Sequence, residues 1–327
     1  MSILRAERLK AYYISEIFGI KRTVRAVDEV SMDVDNNEIF GIAGESGCGK
    51  STLIKALLGI VKPPLTILGG EVNYNLGDKR FNIFSLNQKE SKNIRWEYIS
   101  YIPQSSMSVL NPVRRIRDSF KSFINAHKKM GKGEFNSLVE EHLNVLGLPT
   151  EVLNAYPHQL SGGMRQRVTI ALATILRPKV IFADEPSTAL DVVVQRGVIQ
   201  LLKDIQQEQK NTIILVTHDM AIHANICDRI AIMYAGKIIE EAKTEEIFKH
   251  PLHPYTKYLI GSLPRIGDKS YRVSAPGSPP PLSNLPPGCS FHPRCPYTTE
   301  RCKSDIPSLV EVGNNHKVAC FLASKEG

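Results

Sequence analysis

Along the first two thirds of the chain, short apolar runs alternate with longer amphipathic stretches. The runs from Glu38 to Ala43, Tyr98 to Ile102, Val180 to Ala183, Thr212 to Thr217 and Arg229 to Tyr234 have the length and composition of strands. Between them, Lys50 to Gly59, Phe135 to Leu146, Gly163 to Leu176 and Val192 to Gln209 read as helices. In the second of these, Phe135, Leu138, Val139, Leu143 and Leu146 fall on one face at helical spacing, and Gly147 and Pro149 then stop it. The alternation predicts an α/β domain with a largely parallel sheet over residues 1–245. From about residue 105 to 176 no good strand occurs, which predicts a helical subdomain inserted in the sheet domain. Pro276, Pro279, Pro280, Pro281, Pro286 and Pro287 predict a stiff, extended linker within a C-terminal extension, residues 246–327. There is no internal repeat.

Composition adds little to this picture. The chain has 327 residues, 42% of them hydrophobic and 23% charged, ordinary values for a soluble globular protein. Its longest apolar runs, such as Ile213-Ile214-Leu215-Val216, are far shorter than the ~18 residues a membrane span needs. The start, Met1-Ser2-Ile3-Leu4-Arg5, lacks the apolar segment of a secretory signal. Work at a membrane would therefore leave the spanning to other chains.

The net charge of +8 is unevenly spread. Arg114, Arg115, Arg117, Lys121, Lys128, Lys129 and Lys132 face only Asp118 between Pro112 and Lys132. This is either a solvated helix face or a face near anionic headgroups, where each basic residue adds up to about 1 kcal/mol. No nucleic-acid recognition motif accompanies it.

Gly44-Glu45-Ser46-Gly47-Cys48-Gly49-Lys50-Ser51 follows an apolar strand and opens a helix, the context that a phosphate-binding loop requires. Glycines let backbone N–H groups curl around phosphate oxygens, and the helix start adds its positive dipole end. Lys50 is expected to reach the β- and γ-phosphates, Ser51 to offer its hydroxyl to Mg²⁺, and Thr52 to hold the α-phosphate. At Cys48 only a backbone contribution is needed, so its side chain reads as a tolerated small residue.

Val180-Ile181-Phe182-Ala183-Asp184-Glu185 is a buried-strand run ending in two carboxylates. Ligands of parallel sheets sit at the carboxyl ends of strands, so both acids should face the nucleotide. Asp184 is expected to hold Mg²⁺ through water, and Glu185 to act as general base on the attacking water. Thr217 ends a second such run and delivers His218 to the same edge as a γ-phosphate contact. Gln104 follows the run at Tyr98 to Ile102 and would touch Mg²⁺ or the lytic water.

Two further motifs complete a resemblance. Leu160-Ser161-Gly162-Gly163-Met164-Arg165-Gln166 looks like the signature sequence of ABC ATPases, and Ser187-Thr188-Ala189-Leu190-Asp191 resembles their D-loop. With the phosphate loop, Gln104, Asp184-Glu185 and His218, the family's motifs appear in order over about 200 residues. The resemblance implies a P-loop NTPase fold, an ABC-type nucleotide-binding domain, that hydrolyses ATP. It implies that Ser161, Gly162 and Gly163, a hydroxyl and glycine turn at a helix start, bind ATP held by a second ATPase subunit in a head-to-tail dimer. It also implies an aromatic from the N-terminal strand stacking on adenine. Tyr12 and Tyr13 alternate faces there, and spacing favours Tyr13.

His250-Pro251-Leu252-His253-Pro254-Tyr255-Thr256-Lys257 and Gly288-Cys289-Ser290-Phe291-His292-Pro293-Arg294-Cys295-Pro296 resemble the C-terminal segments of oligopeptide and dipeptide importer ATPases. This extends the resemblance to nearly the whole chain. It implies a peripheral subunit on the cytoplasmic face of the cell membrane that powers import of short peptides. The implied partners are a second, different ATPase subunit, two transmembrane permeases and, indirectly, an extracytoplasmic peptide-binding protein. Nickel importers share the subfamily. A soluble ABC ATPase acting on nucleic acid would carry two ATPase halves or a long coiled coil, and neither is present; an iron–sulfur sensor borrowing the fold would not need the full catalytic set.

Cys289, Cys295, Cys302 and Cys320 are spaced C-x5-C-x6-C-x17-C, without the paired knuckles usual in zinc ribbons. Spacing alone leaves Zn²⁺ and an iron–sulfur cluster open, with His292 and His316 as weaker alternative ligands. The subfamily resemblance implies a [4Fe-4S] cluster on all four thiolates, which would make residues 246–327 a small metal-binding extension.

Overall fold

The computed structural model describes residues 2–104, 109–188, 190–263 and 275–323. In chain order its first elements are β1 (Ser2–Ile17), β2 (Ile20–Asp35), β3 (Ile39–Ala43), α1 (Lys50–Leu57), β4 (Leu65–Asn75) and β5 (Arg80–Asn82). Then follow α2 (Gln88–Ile94), β6 (Ile99–Ile102), α3 (Ile116–Asn125), α4 (Lys132–Val145), α5 (Gly162–Thr174), β7 (Val180–Asp184) and α6 (Val192–Gln209). The last are β8 (Thr212–Val216), α7 (Met220–Ile226), β9 (Arg229–Tyr234), β10 (Lys237–Lys243), α8 (Thr244–Lys249), α9 (Pro254–Gly261), α10 (Glu300–Ser304), β11 (Val310–Glu311) and β12 (Lys317–Val318). The chain divides into two compact units, Met1–Ser85 with Val216–Gly327, and Leu86–Leu215.

In the first unit, an antiparallel sheet has the order β2-β1-β4-β5. Its long β1–β2 hairpin closes through Phe18 and Gly19, both at positive φ (52° and 74°), the turn geometry that matches strand twist. No apolar run announces β1, because its inward face changes parity. Leu4 and Ala6 are buried, then Leu9 and Ala11, with a register break between Ala6 and Leu9 and Arg8 at φ 44°. A bulge of this kind breaks the period-two pattern by which a strand is recognised. The same unit carries the strand order β11-β12-β10-β9-β3. There β3 runs parallel to β9, Phe40 opposite Arg229, while β9 and β10 are antiparallel. Phe40, Ile42, Leu53, Leu57, Ile230 and Ile232 are fully or almost fully buried and form the core beneath the loop that opens α1. Expected to reach Gly59, α1 ends at Leu57, where Gly59 turns out at φ 64°.

The C-terminal residues dock on this unit. Glu240 and Glu241 of β10 pair with Val318 and Lys317 of β12, and Ala319 N–H donates to the Ile239 carbonyl (2.8 Å). Buried Glu240 also accepts from the Leu252 and His253 amides (2.7 and 3.0 Å) and from His316 Nε2 (2.7 Å). The proline-rich stretch is therefore a strap rather than a free spacer. Arg25 N–H donates to the Leu282 carbonyl at 2.9 Å, and Arg294 Nε to the Pro276 carbonyl at 2.8 Å.

In the second unit the strands follow the order β6-β7-β8. Ile99 lies opposite Val180 in the parallel β6–β7 pair, and Thr212 N–H at the start of β8 donates to the Lys179 carbonyl (2.9 Å). All five residues of β7 are buried, as are all five of β8. Residues 109–176 hold α3, α4 and α5 with no strand among the described residues; Ser105, where the helical stretch is expected to begin, lies outside them. Ile116, Phe120 and Ile124 make the buried face of α3. Arg114, Arg115, Lys121, Lys128, Lys129 and Lys132 are exposed, on α3 and on the segments that flank it.

Among the described residues, no helix is long and apolar enough to cross a membrane.

Candidate functional site

In the first unit, β3 runs directly into the glycine-rich loop, and α1 begins at Lys50. Two of its glycines are required by sterics. Gly49 has φ 112°, and a Cβ there would lie 1.9 Å from the Ala26 carbonyl oxygen; at Gly44 (φ 152°) it would lie 2.2 Å from that of Met233. Lys50 is buried, and its Nζ donates to the carbonyls of Gly44 (2.7 Å) and Glu45 (2.9 Å). The lysine thus folds back across its own loop, a cation fixed beside a curl of backbone amides. Ser46 and Gly47 are exposed at the loop's outer edge. Cys48 is buried, which pushes its thiol pKa up and keeps it protonated, as suits a packing residue.

Ser51 and Thr52 occupy the first turn of α1, with Thr52 buried. Tyr13 OH lies 3.2 Å from Thr52 Oγ1, which places Tyr13 beside the loop. Tyr12 points elsewhere; its hydroxyl donates to Asp28 Oδ1 at 2.5 Å, and Asp28 in turn pairs with Lys237 at 3.3 Å. His218 is exposed after β8, one residue before Asp219, whose carboxylate caps α7 by accepting from Ala221 N–H (2.8 Å). Beneath them sits His223, fully buried and absent from the sequence expectations. Its Nε2 is 3.2 Å from the Thr217 carbonyl and its Nδ1 3.4 Å from Cys227 Sγ. A carbonyl only accepts, so Nε2 carries the proton. Burial lowers this imidazole's pKa to about 4.

In the second unit, β7 ends in Asp184, almost wholly buried, whose Oδ2 accepts from Tyr101 OH at 3.3 Å. Glu185 follows at φ 48°, a left-handed conformation that a non-glycine residue holds only when its surroundings impose it. Its Oε2 accepts from Gln104 Nε2 (2.8 Å) and Thr188 Oγ1 (2.9 Å). Gln104, distant in sequence, and Glu185 therefore share one small polar constellation. The sequence reading missed Thr188 and Tyr101. Thr188 stood inside the Ser187–Asp191 motif, and Tyr101 one residue before the end of an apolar run, opposite Phe182 and within reach of Asp184 in β7.

Ser187 accepts from Gln195 Nε2 (3.2 Å), and Asp191 caps α6 by accepting from Val194 N–H (2.9 Å). Ala189 of the same motif lies outside the described residues. Ser161 is the N-cap of α5, its hydroxyl accepting from Met164 N–H at 3.3 Å, with Gly162 and Gly163 forming the helix start. This first turn of α5 is a second anion-compatible helix start.

Among the described residues, no three or more His, Cys, Asp or Glu side chains are gathered into a set that could hold a metal ion. Cys289, Cys295, Cys302 and Cys320 form no disulfide and line one pocket with His253, Phe291 and His292. Burial pushes the Cys289 thiol up to about 11, with the three other thiols adding to the shift. His292 Nδ1 is held 3.0 Å from the Cys289 carbonyl, and His316 is engaged with Glu240 rather than facing the pocket.

Comparison with known proteins agrees with this geometry. The family model described as ABC transporter matches residues 27–188, and the one described as oligopeptide/dipeptide transporter, C-terminal region, matches residues 239–302. The chain is 42% identical over 323 residues to the dipeptide transport ATP-binding protein DppD of Caldanaerobacter subterraneus, covering 98% of this chain and 97% of the relative. It is 38% identical over 332 residues to the oligopeptide transport ATP-binding protein AppD of Bacillus subtilis, covering 100% and 98%. Among solved structures, the dimeric post-hydrolysis ATP-binding cassette MJ0796 bound to ADP and Pi superposes with a TM-score of 0.63 at 27% identity, over 74% of this chain and 98% of that one.

Proposed function

Since the chain belongs to the ABC transporter ATP-binding proteins of the dipeptide and oligopeptide type, we propose that it hydrolyses ATP to drive import of short peptides across the cytoplasmic membrane. Its ABC ATPase domain is residues 1–245, with a helical subdomain over about 105–176, and residues 246–327 form the extension. The observation that carries the peptide reading is the tail: residues 239–302 match the C-terminal region that marks this branch.

In the first unit, the loop amides and Lys50 bind the ATP phosphates, Ser51 offers an oxygen to Mg²⁺, Thr52 holds the α-phosphate, and Tyr13 supports adenine. Hard oxygen donors of this kind suit Mg²⁺, which would neutralise charge on the β- and γ-phosphates. His218 contacts the γ-phosphate. In the second unit, Gln104 and Thr188 hold the Glu185 carboxylate in one orientation, in which it can accept a proton from water. Asp184 is the Mg²⁺-side carboxylate. Ser161, Gly162 and Gly163 close on ATP bound by a second ATPase subunit, a different chain of the same kind. The basic stretch from Arg114 to Lys132 sits near lipid headgroups, and the subunit is peripheral at the cytoplasmic face, beneath two permease subunits fed by an extracytoplasmic binding protein.

Four thiols lining one pocket are the donor chemistry of an iron–sulfur cluster, which Cys289, Cys295, Cys302 and Cys320 would hold after local rearrangement. Such a cluster would clamp a tail with little core of its own. Broad absorbance near about 400 nm in anaerobically purified protein supports it; colourless protein with stoichiometric Zn²⁺ sinks it.

The transport reading is tested by purifying the chain from membranes and reconstituting its copurifying partners in vesicles. ATP-dependent uptake of a labelled dipeptide is expected. Uptake of nickel instead, or ATPase activity stimulated only by nucleic acid, would overturn it.

A further inference from the structure

The segment between Cys289 and Cys295 carries two side chains that reach into the phosphate-loop region of the same unit. Phe291 is buried among Tyr234, Tyr255 and His253, with ring centroids 5.3, 5.5 and 5.7 Å away. Arg294, also buried, has an acceptor for each of its five N–H donors. Nε donates to the Pro276 carbonyl (2.8 Å). Nη1 donates to Glu45 Oε2 (2.9 Å) and Tyr234 OH (3.3 Å), and Nη2 to Glu45 Oε1 (3.1 Å) and the Ala275 carbonyl (3.4 Å). Glu45 is the second residue of the phosphate loop. It is gripped twice: its carboxylate by the fork of Arg294, and its amide by Tyr255 OH, which accepts at 2.9 Å. Its own carbonyl receives Lys50 Nζ. Pro279, Pro280, Pro281 and Leu282 of the strap line a small pocket with Ser46, Gly47 and Cys48 of the loop.

Two consequences follow from charge and entropy. A phosphate nest binds tightly when its backbone is already in the bound shape, and a bidentate guanidinium fixes Glu45 at little entropic cost. A carboxylate inside a polyphosphate-binding loop would also repel its ligand, and Arg294 cancels that charge at the point of contact. We propose that Arg294 is a positioning residue of the nucleotide site, through which the cysteine-bearing tail holds and neutralises Glu45 and so sets the affinity of the loop for ATP. This rests on the reading of Gly44 to Thr52 as the ATP phosphate loop.

The test is titration of the full-length chain with a fluorescent ATP analogue, together with kcat and KM of the assembled transporter. Arg294→Ala is expected to weaken nucleotide binding about tenfold and to raise KM alike, with kcat within about twofold. Adding Glu45→Gln to Arg294→Ala removes the uncompensated carboxylate and is expected to recover binding to within about threefold of wild type. The single variant's deficit should also shrink between about 0.1 and 1 M salt, where screening becomes short-ranged. A tail that simply misfolds would give neither rescue nor salt sensitivity, and that result overturns the proposal, as does unchanged affinity in Arg294→Ala. Lys50→Ala separates the underlying reading: if it binds nucleotide like wild type, the loop assignment fails and the clamp with it. If Lys50→Ala loses binding while Arg294→Ala does not, only the clamp fails.

Discussion

Gln104 Nε2 donates to Glu185 Oε2 at 2.8 Å, joining a residue that follows β6 to one that follows β7 and sits in a left-handed backbone conformation. Because β6 and β7 are parallel neighbours, their carboxyl ends meet, and side chains 81 positions apart come within hydrogen-bond reach. Thr188 occupies the same oxygen. The Glu185 carboxylate is thus held in one orientation, as the proposed role of general base requires.

Glu185→Gln keeps size and both hydrogen-bonding neighbours but cannot take a proton. ATP hydrolysis by the assembled transporter is expected to fall by about 10²–10⁴-fold, with nucleotide affinity of the chain within a few-fold of wild type. Steady-state phosphate release and equilibrium binding check the two halves separately. Normal turnover would remove Glu185 from the role of base.

Gly49→Ala places a methyl group 1.9 Å from the Ala26 carbonyl oxygen at a φ of 112°. The backbone strain alone costs about 1–3 kcal/mol, and relief of the clash must move the loop away from β2. Chemical denaturation should show that loss, and nucleotide titration a loop that no longer binds phosphate. Gly47→Ala is the milder comparison, since nothing lies within 4 Å of its Cβ, although φ 80° still imposes strain.

Tyr12 and Tyr13 should separate cleanly. Tyr13→Ala removes the ring beside Thr52 and is expected to weaken ATP about tenfold, in line with ~1–3 kcal/mol per stacked base, with little change in melting temperature. Tyr12→Ala strips Asp28 of its 2.5 Å donor and should lower stability while leaving nucleotide affinity nearly unchanged. The reverse pattern would exchange their roles.

Acid sensitivity follows from one buried and one half-buried imidazole. Burial lowers His223 in the first unit and His142 in the second to about 4, against about 6.5 in the unfolded chain. Between those values the unfolded state binds more protons, so stability is complete above pH ~6.5 and drains as pH falls toward 4, by up to about 3 kcal/mol per site. Thermal melts from pH 7 to 4.5 should show the slope, and His223→Gln, which can still donate to the Thr217 carbonyl, should flatten it. An unchanged slope would mean that His223 protonates freely in the folded state.

What the sequence determined by itself was local chemistry. The spacing of Gly44, Gly49 and Lys50, the acids closing the Val180 run and the turn at Ser161 are contiguous patterns whose physical demands act over a few residues, and the apolar runs located β3, β6, β7, β8 and β9 to within about a residue or two. Only the tertiary structure decided what those pieces touch. The bulge near Arg8 hid β1 by shifting its inward parity, and the proline-rich stretch became a strap because Arg25 and Arg294 bind its carbonyls. His223 was invisible because a buried histidine differs from an exposed one only in its neighbours. The phosphate loop shows the division best: its sequence dictates a backbone able to cradle an anion, whereas the pairing of Glu45 with Arg294, 249 residues away, depends on a fold that brings two distant charges together.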